Sequence, residues 1–238
     1  AALKSTAVRE GGGWLIDGAK VLVVDGHVAD ALIVAAQADG GVALLLVPAG
    51  TPGLAVARTA MVDAHNAARV TLAGVRVAED ALIGSVGTGR ALLDGVLDVG
   101  RAVIASELIG LADEVFERTV DYLLQRRQFD RMIGEFQALQ HRAAELFCDL
   151  ELARALTRQA QAALDAGSAD APKLVAQAKA RANLSANRAV QEGVQMHGGI
   201  GMTDELDIGL FMKRARVLQE LFGDAGFHMD RAAVMAGY

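Results

Sequence analysis

A single cysteine, three prolines and one tryptophan stand in a chain of 238 residues, and aromatic residues make up only 4%. The lone thiol, Cys148, cannot close an internal disulfide, and its place on a core-like helical stretch makes a buried, small apolar residue the expectation. Basic charge is in the minority. The 23 Lys and Arg against 29 Asp and Glu leave a net charge of −6 with histidine neutral, which excludes a basic nucleic-acid binder. No run of about 18 apolar residues goes uninterrupted by charge, so no membrane span is expected. Nor does any N-terminal stretch combine a basic start, an apolar run and a small-residue cleavage site, and the expected compartment is the cytoplasm. The five histidines, His27, His65, His141, His197 and His228, include no pair at metal-ligand spacing and have no Cys beside them, so no metal site is expected. A Gly-x-Ser-x-Gly elbow is also missing, leaving hydrolase chemistry without support.

What the chain has in quantity is apolar residues, 53% of the total. A chain of this length can bury roughly 70–75% of its unfolded surface, so a substantial core is available. From Gly13 to Val77, short β-type runs alternate with Gly, Pro and Asp turns: Trp14–Ile16, Val21–Val24, Ala31–Val34, Val42–Val47, Leu54–Ala57 and Arg69–Val77. That spacing predicts a small antiparallel sheet unit. After Gly89 the period becomes helical, with Leu92, Val96, Val103, Leu108, Leu111, Val115, Thr119 and Leu123 along one long segment. A second helix is predicted over Gln137–Ala166, with Cys148 on it and Gly167 closing it. A third runs from Ala171-Pro172 to about His197. A fourth is predicted from Asp204 to Leu221 with Asp204, Glu205 and Asp207 in its first turn, and a last one from Gly226 to Ala236. The expected fold class is α+β, a small antiparallel β unit over 1–86 followed by a bundle of about four or five helices over 87–238.

Single motifs in this frame are unremarkable. The cluster His197-Gly198-Gly199-Ile200-Gly201 follows a helix, whereas a dinucleotide fingerprint follows a strand, so by itself it reads as a helix stop. Arg126-Arg127 reads as dipole-compensating charge at a helix end. Asp224, between Gly223 and Ala225, reads as a turn or N-cap residue.

Together they are specific. The stretch from Arg126 through Gln128, Phe129, Phe136 and Gln137 to His141, then Ala178-Lys179, then Gln191 through Gly201, resembles the C-terminal half of the acyl-CoA dehydrogenase family in order and spacing. The segment from Gly13 to Gly89 resembles the later part of that family's middle β domain, so the resemblance implies a partial β-barrel domain over 1–86 and the family's C-terminal four-helix bundle over 87–238. Counterparts of the family's N-terminal helical domain and first strands are not found, so the expectation is a fragment, or a chain whose missing part is supplied otherwise.

The resemblance implies FAD-dependent α,β-dehydrogenation of an acyl-CoA in fatty-acid and lipid metabolism, with an electron-transfer flavoprotein as acceptor. It also implies a homo- or hetero-oligomer, a dimer or a dimer of dimers (homotetramer). It places Arg126, Gln128, Phe129, Phe136 and Gln137 on the cofactor of a neighbouring subunit. Gln195, Met196, His197, Gly198 and Gly199 would meet the adenosine end, and Gly226 and His228 would also lie at the cofactor. Asp98 and Arg101 fall where the family contacts acyl-CoA. Counted back from Arg231, Asp224 takes the place of the family's commonest catalytic Glu, and burial near apolar substrate is expected of it. Gly100 takes the other base position. Departures are Val23-Val24-Asp25 in place of Ile-Thr-Asn at the flavin, Asp130 in place of Gly, and Ala225-Gly226 in place of Gly-Thr. Two alternatives follow: a non-catalytic subunit of a heteromeric acyl-CoA dehydrogenase, and a flavin oxidase or monooxygenase of the same superfamily.

Overall fold

A computed structural model describes residues 3–238. They form two compact units that meet at Val96–Leu97, inside the first long helix. The first unit is a six-stranded sheet of β1 (Thr6–Glu10), β2 (Gly13–Val24), β3 (Ala31–Ala38), β4 (Gly41–Pro48), β5 (Leu54–Thr59) and β6 (Ala67–Ala78). Its order is β4-β3-β1-β2-β6-β5. Gly11 and Gly12, at φ +62° and +81°, make the two-residue turn between β1 and β2, a turn in which both central residues need positive φ. Trp14, Ile16, Val34, Leu45, Val47, Val70 and Val75 are buried together as its core.

The sheet is mixed, which corrects the expectation of an antiparallel unit. β1 lies between β2 and β3, pairing antiparallel with β2 but parallel with β3 at Thr6↔Gln37. The cause is topological: a tight reversal after β2 sends β3 back in the direction of β1, on the other side of it. β1 itself, five residues long, was not foreseen.

The second unit is helical. α1 (Gly89–Gln125) leads through a two-stranded ribbon, β7 (Arg127–Gln128) and β8 (Arg131–Met132), to α2 (Gln137–Asp165). α3 (Ala171–His197), a 3₁₀ turn (Gly198–Met202), α4 (Ile208–Glu220) and α5 (Ala225–Met235) follow. α3 is the central helix. Ala178, Ala182, Ala186 and Ala189 are all buried, and small side chains let α2 and α5 approach its axis closely. Ile104, Leu108, Leu146, Leu150 and Leu218 fill the space around them. At Gly193 an added Cβ would come within 2.7 Å of Val115 Cγ1, which fixes glycine there.

Three expectations about the helices are corrected. Cys148 is exposed, because it lies two residues, about 200°, round from Leu146 on the core stripe of α2. The α1 stripe holds from Leu108 onward, but Leu92, Val96 and Val103 are exposed; five residues separate Val103 from Leu108, about 140° round the helix. α4 starts at Ile208, so Asp204 and Glu205 precede it and Asp207 is its N-cap residue. There the Thr203 hydroxyl donates to Ile200 O at 2.8 Å and accepts from Glu205 N at 3.3 Å, local bonds that compete with a helical turn. Among the described residues no helix is long and apolar enough to cross a membrane.

Leu150→Ala should lower unfolding free energy in urea by about 2–5 kcal/mol, the range for truncating a buried leucine. Leu152→Ala, two residues away and 62% exposed, should change it by less than about 0.5 kcal/mol.

Candidate active site at the α4–α5 bend

The chain turns sharply between α4 and α5. Leu221 is extended, then Phe222 and Gly223 take φ of +60° and +114°. A phenylalanine at positive φ is strained and persists only where its surroundings over-determine it. At Gly223 a Cβ would stand 2.4 Å from Phe227 Cδ1, so the bend requires glycine there. Asp224 follows in extended conformation and caps α5, its Oδ1 accepting from Phe227 N at 2.7 Å. Asp224 is exposed, so the expected burial is corrected: capping keeps its carboxylate at the helix surface. It lines a cleft of about 310 Å³ with Asn187, Arg216, Gln219, Glu220 and Gly226. At Gly100 a Cβ would meet Phe222 Cε2 at 2.9 Å, so the Phe222 ring fills the second base position.

Beneath the bend lies a buried set of charges. Asp98 Oδ1 accepts from Arg101 Nη1 at 2.9 Å and lies 2.7 Å from Arg231 Nη1, while its Oδ2 accepts from Arg231 Nη2 at 2.8 Å. Arg101 Nε donates to Phe222 O at 3.1 Å. His228 Nε2 lies 3.1 Å from the same oxygen; a carbonyl only accepts, so that nitrogen carries the proton. Lys179 Nζ donates to Asn183 Oδ1 at 2.7 Å, Leu218 O at 2.9 Å and Gly223 O at 3.3 Å. Both carbonyls of the bend are therefore held by cations or by a neutral imidazole. Burial, reinforced by the Arg101 and Lys179 charges, pulls His228 down to about 4, and burial brings Lys179 down to about 8.

Asp98 and Arg101, foreseen as acyl-CoA contacts, are buried in this network, and His228 is fully enclosed. Arg101 and His228 touch the bend at Phe222 O, and Asp98 holds Arg101 and Arg231 beneath it. The sequence reading missed Arg231, Asn183 and Phe222 and gave Lys179 no role at the site. The available signal was a lysine on the apolar stripe of α3.

Of the residues foreseen at the cofactor, Gly226 lines the cleft beside Asp224 and His228 is enclosed under the bend, apart from the others, which lie toward the C-terminal end of α3. Phe129 and Asp130, at φ +55° and +64°, form the tip of the β7–β8 ribbon. Phe129 is 85% exposed and meets Phe136 edge-on, with ring centroids 6.1 Å apart. Arg126, Gln128 and Gln137 are exposed, and no ion pair of Arg126 is found among the described residues. The Tyr122 and His197 rings pack at 4.5 Å, joining the ends of α1 and α3, so Gly198 and Gly199 are exposed at the same end as the ribbon. His197 Nδ1 bonds Gly193 O at 2.7 Å, and His197 and Met196 are buried, while Gln195 is exposed. Between Lys179 and His197, α3 spans about 27 Å at 1.5 Å per residue.

One pH effect follows. His228 binds its proton more readily when unfolded, near 6.5, than folded, near 4, so its contribution to stability is present above about pH 6.5 and is lost as pH falls toward 4. His228→Gln should remove on the order of 2 kcal/mol of that acid-side loss, read by comparing urea unfolding of both proteins from pH 7 to pH 4.

The sequence pattern described as "Acyl-CoA dehydrogenase, C-terminal domain" matches residues 87–235. The cyclohex-1-ene-1-carbonyl-CoA dehydrogenase of Syntrophus aciditrophicus is 30% identical over 233 residues, 92% of this chain and 55% of the relative. The solved Tcur3481–Tcur3483 steroid ACAD is 32% identical with a TM-score of 0.89, covering 100% of this chain and 63% of that one. The ChsE4–ChsE5 complex from Mycobacterium tuberculosis is 27% identical with a TM-score of 0.89, covering 98% and 62%. This chain spans little more than half the length of the curated relatives it matches. With the domain pattern extending over most of its length and relatives of this kind on either measure, the chain belongs to the acyl-CoA dehydrogenase family.

Proposed function

We propose that this chain is part of an FAD-dependent acyl-CoA dehydrogenase in which Asp224 removes the α-proton of an acyl-CoA thioester. The observation that carries this reading is the Asp224 carboxylate itself, exposed at a cleft and held by a bend whose two carbonyls are tied to buried donors. A general base needs a fixed position within hydrogen-bond reach of the proton it takes, and the helix cap supplies it. Aspartate is one methylene shorter than glutamate, so the acyl chain must approach the backbone of α5 more closely.

The distal end of the bundle fits a flavin dinucleotide. Arg126 has no acidic partner among the described residues and is suited to a diphosphate, and exposed Phe129, Gln128 and Gln137 offer an aromatic face and amides beside it. Gly198 and Gly199 leave open space where side chains would stand, which permits close backbone approach by the adenosine part. FAD, when bound, supplies the acceptor for the β-hydrogen as hydride, and an electron-transfer flavoprotein would take the electrons onward. Because the candidate base stands beside the middle of α3 and these residues at or near its C-terminal end, one copy serves two sites, in a dimer or dimer of dimers. A second reading, a non-catalytic subunit that completes a partner's FAD site, is favoured by similarity to the two-component ChsE4–ChsE5 complex and by Val24 at a position where many members carry threonine.

Asp224→Asn retains a capping side chain while removing the base. Turnover of acyl-CoA by the assembled enzyme should fall by about 10²–10⁴-fold with flavin content unchanged; near-normal turnover would sink the base assignment and favour the second reading. Arg126→Ala should do the opposite to the cofactor, reducing flavin absorbance per protein by at least about fivefold. Full flavin retention would remove Arg126 from the site.

A further inference from the structure

Lys179 is wholly enclosed, yet no carboxylate among the described residues touches it. A buried ammonium is normally paired with an acid, because removing a charge from water is costly. Here its partners are neutral oxygens, and they belong to three elements that meet at one point. Asn183 Oδ1 lies one turn along α3, Leu218 O at 2.9 Å and Gln219 O at 3.4 Å belong to the last turn of α4, and Gly223 O at 3.3 Å belongs to the bend. The last carbonyls of a helix carry its negative end, so α4 offers a cation both acceptors and a favourable field. Asn183 Nδ2 reaches Gln219 O at 3.3 Å and Gly223 O at 3.5 Å, doubling the tie. The carbonyl held most distally in the chain is the one bonded directly to the nitrogen of Asp224.

We propose that Lys179 is a positioning residue for Asp224: by fastening Gly223 to the end of α4, it sets where the Asp224 carboxylate stands in the cleft. The proposal rests on the reading of Asp224 as the base. Two other donors, Arg101 Nε and His228 Nε2, hold the preceding carbonyl of Phe222, but α3, α4 and the bend are linked by Lys179 together with Asn183, whose Oδ1 Lys179 itself holds. Loss of Lys179 leaves Gly223, which has no side chain to restrain it, tied to α3 through Asn183 Nδ2 at 3.5 Å, an amide that has lost its own anchor. The carboxylate then leaves the position in which Oδ1 accepts from Phe227 N. A displacement of about 1 Å at a reacting group can cost roughly 100-fold in rate.

The charge state of Lys179 gives an independent handle. The charged groups acting on it are Glu220 and Asp224, which favour its proton, and Arg101, which with burial opposes it; His228 beside them is neutral at pH 7. Lys179 loses its proton near 8 when folded, against 10.5 when unfolded, so its contribution to stability increases from about pH 8 to pH 10.5. Positioning would weaken over the range in which this group's contribution to the fold grows, and a purely structural lysine has no such divergence.

The test is Lys179→Met in the full-length, flavin-loaded enzyme with any partner subunit it requires. Expected are a kcat about 100-fold lower, a KM for acyl-CoA within about threefold, and exchange of the Phe227 amide hydrogen at least about tenfold faster, with amides in the middle of α5 unchanged. A kcat within about threefold of the parent, or unchanged Phe227 protection, overturns the proposal. Should the variant not fold, the parent enzyme decides: kcat should fall above about pH 8 while unfolding free energy does not, and a flat kcat through about pH 9.5 overturns the proposal. Asp224→Asn separates the two ideas. If it keeps turnover, the base reading fails on its own account, while Phe227 exchange in Lys179→Met still reports whether Lys179 places the carboxylate.

Discussion

The buried polar cluster under the α4–α5 bend is the constraint on which the rest of the helical unit depends. A carboxylate, two guanidiniums, an ammonium and an imidazole are gathered where only Asp98 carries negative charge in direct contact. Such a cluster is costly unless each donor is satisfied, and breaking one buried partner leaves an uncompensated charge. The fold gives Arg101, His228 and Lys179 the backbone carbonyls of a turn that would otherwise be strained, and pairs Arg231 with Asp98. Phe222 at positive φ and the cations beneath it stabilise one another: the bend presents its oxygens inward, and the donors hold the backbone in a region it would not choose.

The consequence reaches outward in two directions. Toward the cleft, the only freedom left to Asp224 is its own side chain, and the α5 cap takes most of that. Toward the bundle, α3 must pass close enough to α4 and the bend for a lysine to reach both. Its run of alanines makes that approach possible, since larger residues would push the helices apart and take Nζ out of reach of Gly223. Packing and chemistry are thus set by the same residues. The helix then acts as a spacer, with the bend near Lys179 and the Gly198–Gly199 turn and aromatic ribbon beyond His197.

Much of this frame was legible in the sequence. The 3.6-residue period gave α2 and α3 nearly to the residue, because long apolar stripes ended by Gly167 and Gly198 leave little choice. Turn glycines and aspartates gave most of the strands. The errors have physical causes. β1 is five residues with one buried side chain, too short a pattern to recognise. α4 was drawn too long because acidic residues suit a first helical turn as well as a loop, and only the Thr203 hydrogen bonds settle which. Cys148 was placed inside by residue type, when its angle from Leu146 put it outside.

By itself the sequence determined composition, period and motif: a sheet unit, an alanine-rich bundle, and the ordered residues that mark the family. Those are local or linear properties, and they survive without coordinates. The N-cap place of Asp224 was among them, whereas only the tertiary structure decided that Asp98 and Arg101 are buried, with Arg101 donating to Phe222 O, and that Lys179 serves three elements at once. These facts join residues far apart along the chain, such as Arg101 of α1 with Phe222 and Lys179 of α3 with Gly223 in the bend, and no spacing along the chain encodes a hydrogen bond between them.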